Sequence, residues 1–188
     1  MGGAKRGTKT KTTTRSLLQR PLDLVFVCFF VTHVPTSLAV DAQCLVPAEY
    51  FPEPLRLLLD YHVATFKDPL MGTCPPWLRA VIFCELAFQV PFFLVATYAF
   101  CRGRNWIRIP SLIYGTHTST TLVPILGSFW LGDESKGAPP LSLAEKWTLT
   151  GIYIPYLILP LLLVLRMLPT DKPFDAVADE SSRKSKTR

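Results

Sequence analysis

Four apolar runs, each about as long as a membrane is thick, divide the chain between residues 22 and 168. A hydrocarbon core of roughly 30 Å takes about 20 residues of helix at 1.5 Å per residue. The first run, Leu22 to Val40, reads LDLVFVCFFVTHVPTSLAV. The second extends from Trp77 to about Cys101, the third from Trp106 to about Leu131 and the fourth from Trp147 to about Leu168. Trp77, Trp106 and Trp147 open three of these runs, at the level where amphipathic rings settle among headgroups. Pro35, Pro91, Pro124, Pro155 and Pro160 lie inside the runs, so each span is expected to be kinked, with neighbouring side chains satisfying the freed carbonyls. No repeat of fixed period appears, which excludes a solenoid. The sequence therefore predicts an all-α membrane protein: a four-transmembrane kinked helix bundle over residues 21–168, with polar tails at 1–20 and 169–188. A hydrophobic content of 49% fits that class better than a soluble domain.

The connection over 41–76 holds six prolines together with charges, and so is expected outside the lipid. Within it, Glu53 to Lys67 places Leu55, Leu58, Leu59, His62, Val63 and Phe66 at helical spacing, predicting a short amphipathic helix that caps the bundle. A net charge of +6 could serve nucleic acid, but the basic residues cluster between apolar runs and form no stripe interleaved with aromatics. Nucleic-acid binding is accordingly not expected. Counting Lys and Arg puts the N-terminal tail, the 102–108 connection and the C-terminal tail on one side, against Arg56, Lys67, Arg79, Lys136 and Lys146 on the other. The positive-inside rule then predicts that both termini are cytosolic and that the 41–76 connection is luminal. The last five residues, Lys184 to Arg188, read K-S-K-T-R and fit a dilysine retrieval tag of endoplasmic-reticulum membrane proteins, with a solvated charge run beside anionic lipid as the plain alternative. The basic start and the run Leu22 to Val31 also resemble a cleavable leader, but His33 and Pro35 interrupt that pattern, and a retained span is the expectation.

Five cysteines, at positions 28, 44, 74, 84 and 101, show no metal-ligand spacing, so no metal is expected. Cys44 and Cys74 both fall in the predicted luminal connection, where oxidation is permitted. Whether they pair is left open by the sequence.

Ionisable groups inside a bilayer cost about 2.5–3.5 kcal/mol each at a helix centre on insertion scales and mark functional sites by default. Asp41 ends the first run, and Glu85 lies eight residues past Trp77, about 12 Å deeper by helical rise. Gln89 follows Glu85 by four residues on the same helix face, which Val81, Phe88 and Phe92 are expected to extend. Span three adds the run His117 to Thr121, span four adds Tyr153 and Tyr156, and His33 lies two turns before Asp41. The Ser/Thr run is more simply read as helix-to-helix glue, and the histidines as structural. The two acids resist that reading, because no Lys or Arg lies at their depth in any span. Such a pair shares a proton or recruits a cation from outside, and a protonated amine on an apolar ligand meets the need.

The phrases H-V-P-T-S-L at 33–38, F-K-D-P-L at 66–70, F-C-E-L-A-F-Q-V-P-F-F at 83–93, W-I-R-I-P at 106–110, H-T-S-T-T-L-V-P-I-L at 117–126 and Y-I-P-Y-L-I-L-P at 153–160 resemble the sigma-2 receptor, or transmembrane protein 97, family. That family sits in the EXPERA group with the emopamil-binding proteins. The resemblance covers about residues 22–168. It implies a cavity in the luminal half of the bundle, open towards lipid, that takes a sterol or a hydrophobic amine. Asp41 would pair with the ligand ammonium, and a protonated Glu85 would hydrogen-bond Asp41. Gln89, Thr121, Tyr156, Tyr114 and His33 would line the cavity, Leu58, Phe66, Val81 and Ile125 would supply apolar wall, and Asp68 would cap the loop backbone. It further implies a homodimer in endoplasmic-reticulum membranes, with endolysosomal and nuclear membranes as further locations, a part in cholesterol handling beside other sterol-transport membrane proteins, and no cofactor. His62 and Leu78 stand where relatives carry aromatics, and the connection between spans three and four is shorter, departures that bear on ligand selectivity. The rival implication is an enzyme, a sterol double-bond isomerase of the emopamil-binding type, in which Asp41 and Glu85 would act as acid and base.

Overall fold

The computed structural model describes residues 16–131 and 140–175. Among the described residues the chain is helical throughout, with no strand. Helix α1 spans Pro21–Ala39, α2 Glu53–Phe66, α3 Pro69–Thr73, α4 Pro76–Cys84, α5 Val90–Arg102, α6 Arg108–Leu131, α7 Leu143–Tyr153 and α8 Pro155–Met167. Three continuous segments, Pro21–Cys44, Pro76–Arg102 and Leu143–Met167, are long and apolar enough to cross a membrane. Helix α6 is of similar length, at 24 residues, but its mean hydropathy is diluted by the polar run from Thr116 to Thr121.

Local chemistry sets the boundaries. Proline opens α1, α3, α4 and α8 at or next to the first helical position, where its missing N–H costs no hydrogen bond. Ser142 and Glu145 form a reciprocal capping box at the start of α7. Gly103, at φ 58°, closes α5 in a left-handed turn in which the Arg104 N–H bonds the Ala99 carbonyl at 2.8 Å. Prolines break two of the apolar runs. Pro155 separates α7 from α8 at Ile154, and Pro91 follows a π-helical turn over Glu85–Gln89 that joins α4 to α5. A proline cannot donate to the preceding turn and crowds the carbonyl four residues back, and the wider π turn relieves both demands.

Helix α1 packs along α5, and α6 along α8. Gly115 makes the second contact possible, since a Cβ there would meet Val164 Cγ2 at 2.6 Å and the Pro160 carbonyl oxygen at 2.8 Å. One core, at the Arg20 end of the bundle, is aromatic: Phe26, Phe30, Phe93 and Phe100 are wholly buried and meet edge to face or stacked. A second core joins α3, α4, α6 and α7 through Leu70, Leu78, Ile82, Leu122, Ile125, Phe129 and Leu149. The outer surface of the long helices stays apolar, with Val31, Phe83, Leu94, Ile113, Val123 and Leu165 all more than half exposed.

The predicted amphipathic helix is α2, which ends where Lys67 turns left-handed at φ 52° and lies against α3 and α7. Cys44 and Cys74 are joined in a disulfide, tying the end of α1 to the segment before α4. The packed body reaches past both expected tail boundaries. Arg20 bonds Asp23 and the Phe100 carbonyl, each at 2.8 Å. Residues 169–175 strap back across the same end, where Phe174 is buried with the Arg20 and Arg166 guanidinium groups over its ring. Asn105 holds this strap twice, donating to Asp175 and accepting from the Phe174 N–H, both at 3.0 Å. Strap and helix ends thus satisfy each other's polar groups, which a detached tail would leave to water. The remaining tail positions, including the K-S-K-T-R motif, lie outside the described residues.

Candidate functional site

A cavity of about 280 Å³ opens between α1, α4, α6 and the α7–α8 junction, beneath α2 and α3. Its size follows from the backbone breaks described above. The π turn lodges an extra residue in span two, which rotates the helix beyond it by about 100° at 3.6 residues per turn. Val81, Glu85 and Gln89 face the cavity, while Phe88 and Phe92 are swung to an outer groove. A straight α-helix would have kept all five on one face, and that expectation fails for the two phenylalanines.

Of the expected ligand-binding residues, Asp41, Glu85, Gln89, Thr121, Tyr156 and His33 line this cavity, and of the expected wall residues Val81 and Ile125 do. Tyr114 does not. Its ring stacks on Phe92 at 4.4 Å and is drawn with it to the outer groove. Leu58 is absent from the lining too, being 46% exposed one helical turn before His62. Phe66 packs one helical turn beyond His62, ring centroids 5.1 Å apart, so that His62 takes the place by the cavity expected for it. Asp68 is wholly buried and caps α3 by accepting from the Leu70 and Met71 N–H groups. Its second oxygen accepts from Tyr153 Oη at 2.6 Å and faces His62 Nε2 at 3.1 Å. Asp68 thereby fixes two lining side chains without touching the cavity itself.

The polar centre differs from the pairing expected of the two acids. Glu85 Oε1 accepts from Ser37 Oγ at 2.5 Å and faces His33 Nε2 at 3.3 Å. His33 and Ser37 are one turn apart on α1, and the π turn aims Glu85 at their level, a further turn before Asp41. His33 is held in place by Phe93 and Tyr156, whose rings lie 4.8 and 4.7 Å from its own. Gln89 accepts from Thr118 Oγ1 at 3.1 Å. Among the described residues, no donor is hydrogen-bonded to Asp41, which nevertheless lies within the electrostatic reach of Glu85 and Asp68. No Lys or Arg lines the cavity. The arrangement is a small apolar chamber with one satisfied acid and one unsatisfied acid.

Sequence reasoning missed Thr36, Val40, Met71, Ile82, Leu122 and Ile152 as lining residues; Thr118 and Tyr153, noted there as polar groups of the spans, and His62 and Leu78, noted as departures bearing on selectivity, also line the cavity. Thr36 and Val40 were discoverable, since they share the α1 face of His33 and Asp41 at helical spacing. Met71 was not, because its position depends on the fold of the 68–74 loop. No group of three or more metal-ligating side chains converges among the described residues.

The pattern of EXPERA (EXPanded EBP superfamily) matches residues 54–167, which carry α2 through α8 and most of the cavity lining. The chain belongs to the EXPERA family. It is 43% identical over 156 residues to the sigma intracellular receptor 2 of Homo sapiens, a match covering 80% of this chain and 89% of the relative. The corresponding receptor of Xenopus tropicalis is 41% identical over 152 residues, covering 79% of this chain and 89% of the relative. A more distant relative, the efficient mitochondria targeting-associated protein 19 of Schizosaccharomyces pombe, is 31% identical over 153 residues, covering 78% and 74%. The EXPERA match includes both departures noted in the sequence, His62 and Leu78, and each lines the cavity.

Proposed function

We propose that this EXPERA protein is an intracellular membrane receptor whose central cavity binds hydrophobic amines and sterols, with a role in cholesterol handling. One observation carries the reading: among the described residues Asp41 accepts no hydrogen bond and no Lys or Arg lines its cavity, whereas Glu85 has Ser37 and His33. A carboxylate in low dielectric without a partner is costly, and a ligand ammonium relieves that cost by several kcal/mol. The apolar walls of Val81, Ile82, Leu122 and Ile125 suit the ligand's hydrocarbon body. A sterol would use the same walls and present its hydroxyl to Asp41 or Glu85. The names of the animal relatives, both sigma intracellular receptor 2, support this assignment.

In this reading α6 is the fourth membrane span. Ser111, Thr118 and Ser119 of this helix are buried and Thr120 and Thr121 bond back to it, while Ile109, Ile113 and Val123 give its outer face hydrocarbon. The Lys and Arg asymmetry then places both termini in the cytosol and the cavity, with its α2–α3 cover, in the luminal half of an endoplasmic-reticulum membrane. A disulfide at that end agrees with an oxidising lumen. A homodimer, and contact with other sterol-transport membrane proteins, belong to the same proposal.

The isomerase reading is favoured by one feature, a cavity that gathers Asp41, Glu85, His33 and Tyr156 as proton-transfer groups. Competition binding in detergent with a panel of sterols and amines tests the receptor reading, which expects saturable amine binding displaced by sterols. Incubation of the same protein with a Δ8 sterol and product analysis tests the rival. Turnover that disappears in Glu85→Gln would replace the receptor by the enzyme.

A further inference from the structure

A second cavity, of about 390 Å³, lies on the outside of the bundle between the π turn, the start of α5 and α6. Its size falls in the roughly 300–1,000 Å³ range typical of small-molecule sites. Phe88, Phe92, Pro110 and Ile113 form its walls, and Phe88 and Ile113 are each about two-thirds exposed on the apolar outer surface. Its polar groups are Tyr114, Gln89 and His117, with no carboxylate, Lys or Arg in the lining. Tyr114 is only 5% exposed, and its Oη makes no hydrogen bond of good geometry, although the Thr118 hydroxyl lies nearby. A buried phenol left in that state costs about 1–3 kcal/mol, so it calls for a partner. Gln89 lines both cavities, and its bond from Thr118 forms part of the partition between them.

We infer that this groove is a second ligand site, facing the lipid, for the hydroxyl end of a neutral and rigid membrane lipid of the sterol class. The groove's chemistry selects against the alternatives. A cationic amine finds no carboxylate here, in contrast with the central cavity, and a phosphate headgroup finds no basic side chain. A hydroxyl both donates and accepts, and so suits a phenol, an amide and an imidazole at once. The short groove walled by Phe88, Phe92, Pro110 and Ile113 favours a rigid ring system. Such a ligand loses far less conformational freedom on binding than a flexible acyl chain does.

The test is photolabelling of the whole protein in phosphatidylcholine nanodiscs with a diazirine-bearing cholesterol probe, followed by peptide mapping. Adducts are expected on Phe88, Phe92, Ile113 or His117, reduced by excess cholesterol and unaffected by excess hydrophobic amine. Ile113→Trp, which fills the groove from its lipid-exposed rim, should reduce these adducts at least about fivefold, and Tyr114→Phe by about two- to tenfold, the worth of one hydrogen bond. Labelling spread evenly around the bundle, confined to central-cavity residues, removed by the amine, or indifferent to Ile113→Trp would overturn the inference. Amine affinity is read on the same variants and reports on the central cavity alone, so the two sites fail or stand separately.

Discussion

The two ends of the bundle are built on opposite terms. At the Arg20 end, aromatic rings fill the space between α1, α5 and α6, and the buried acid is paired: Asp23 is 2% exposed and lies 2.8 Å from Arg20 and 3.4 Å from Arg166, while Arg108 donates to the Met167 carbonyl. At the Asp41 end, the helices part around a cavity, polar groups are set among the aliphatic side chains facing it, and closure is left to short helices and a disulfide. Close packing fixes one structure and leaves no room for a ligand, whereas the open end keeps room and an unsatisfied acid at the expense of contacts. On the proposed reading, stability and binding fall to different halves of the bundle.

That division can be broken from either side. The largest stability loss is expected from Phe30→Ala, which empties a wholly buried site in the aromatic core. A cost of about 3–5 kcal/mol should appear as a lower thermal midpoint, with amine affinity unchanged at temperatures where the variant is folded. Cys44→Ser is next. Opening a cross-link between positions 30 residues apart costs about 3–4 kcal/mol on loop-closure arguments, and here affinity should fall along with stability because the cavity cover loosens. Gly115→Ala drives a methyl group against Val164 and the Pro160 carbonyl, and thermal unfolding should show a loss of about 1–3 kcal/mol. The smallest effect belongs to Asn105→Ala, which releases the two hydrogen bonds of the 169–175 strap for about 1 kcal/mol and no change in binding. Equal effects on affinity from Phe30→Ala and Cys44→Ser would erase the proposed division.

The sequence exposed the packed end and the cavity end to different degrees. Apolar runs with tryptophan at their starts made the helices readable, and Asp41, Glu85 and His33 stood out because ionisable groups inside such runs are rare. What pattern could not supply was the register beyond Glu85. One π turn, set by Pro91, moved Phe88 and Phe92 out of the cavity and took Tyr114 with them, and helical periodicity contains no sign of an added residue. The strap formed by 169–175 was equally hidden, since its anchor Phe174 sits among polar residues that read as tail. A capping Asp68 was implied by the family resemblance, but its grip on Tyr153, 85 residues away, is a tertiary fact.

The central claim is electrostatic, and a charge cycle tests it most directly. Equilibrium binding of a hydrophobic amine and of its uncharged isostere would be measured on the purified protein and on Asp41→Asn. The ion pair predicts that Asp41→Asn weakens the amine by about a hundredfold or more, in line with 2–5 kcal/mol for a desolvated charge pair, while the isostere binds both proteins alike. Equal losses for both ligands, or amine affinity retained in Asp41→Asn, would contradict it.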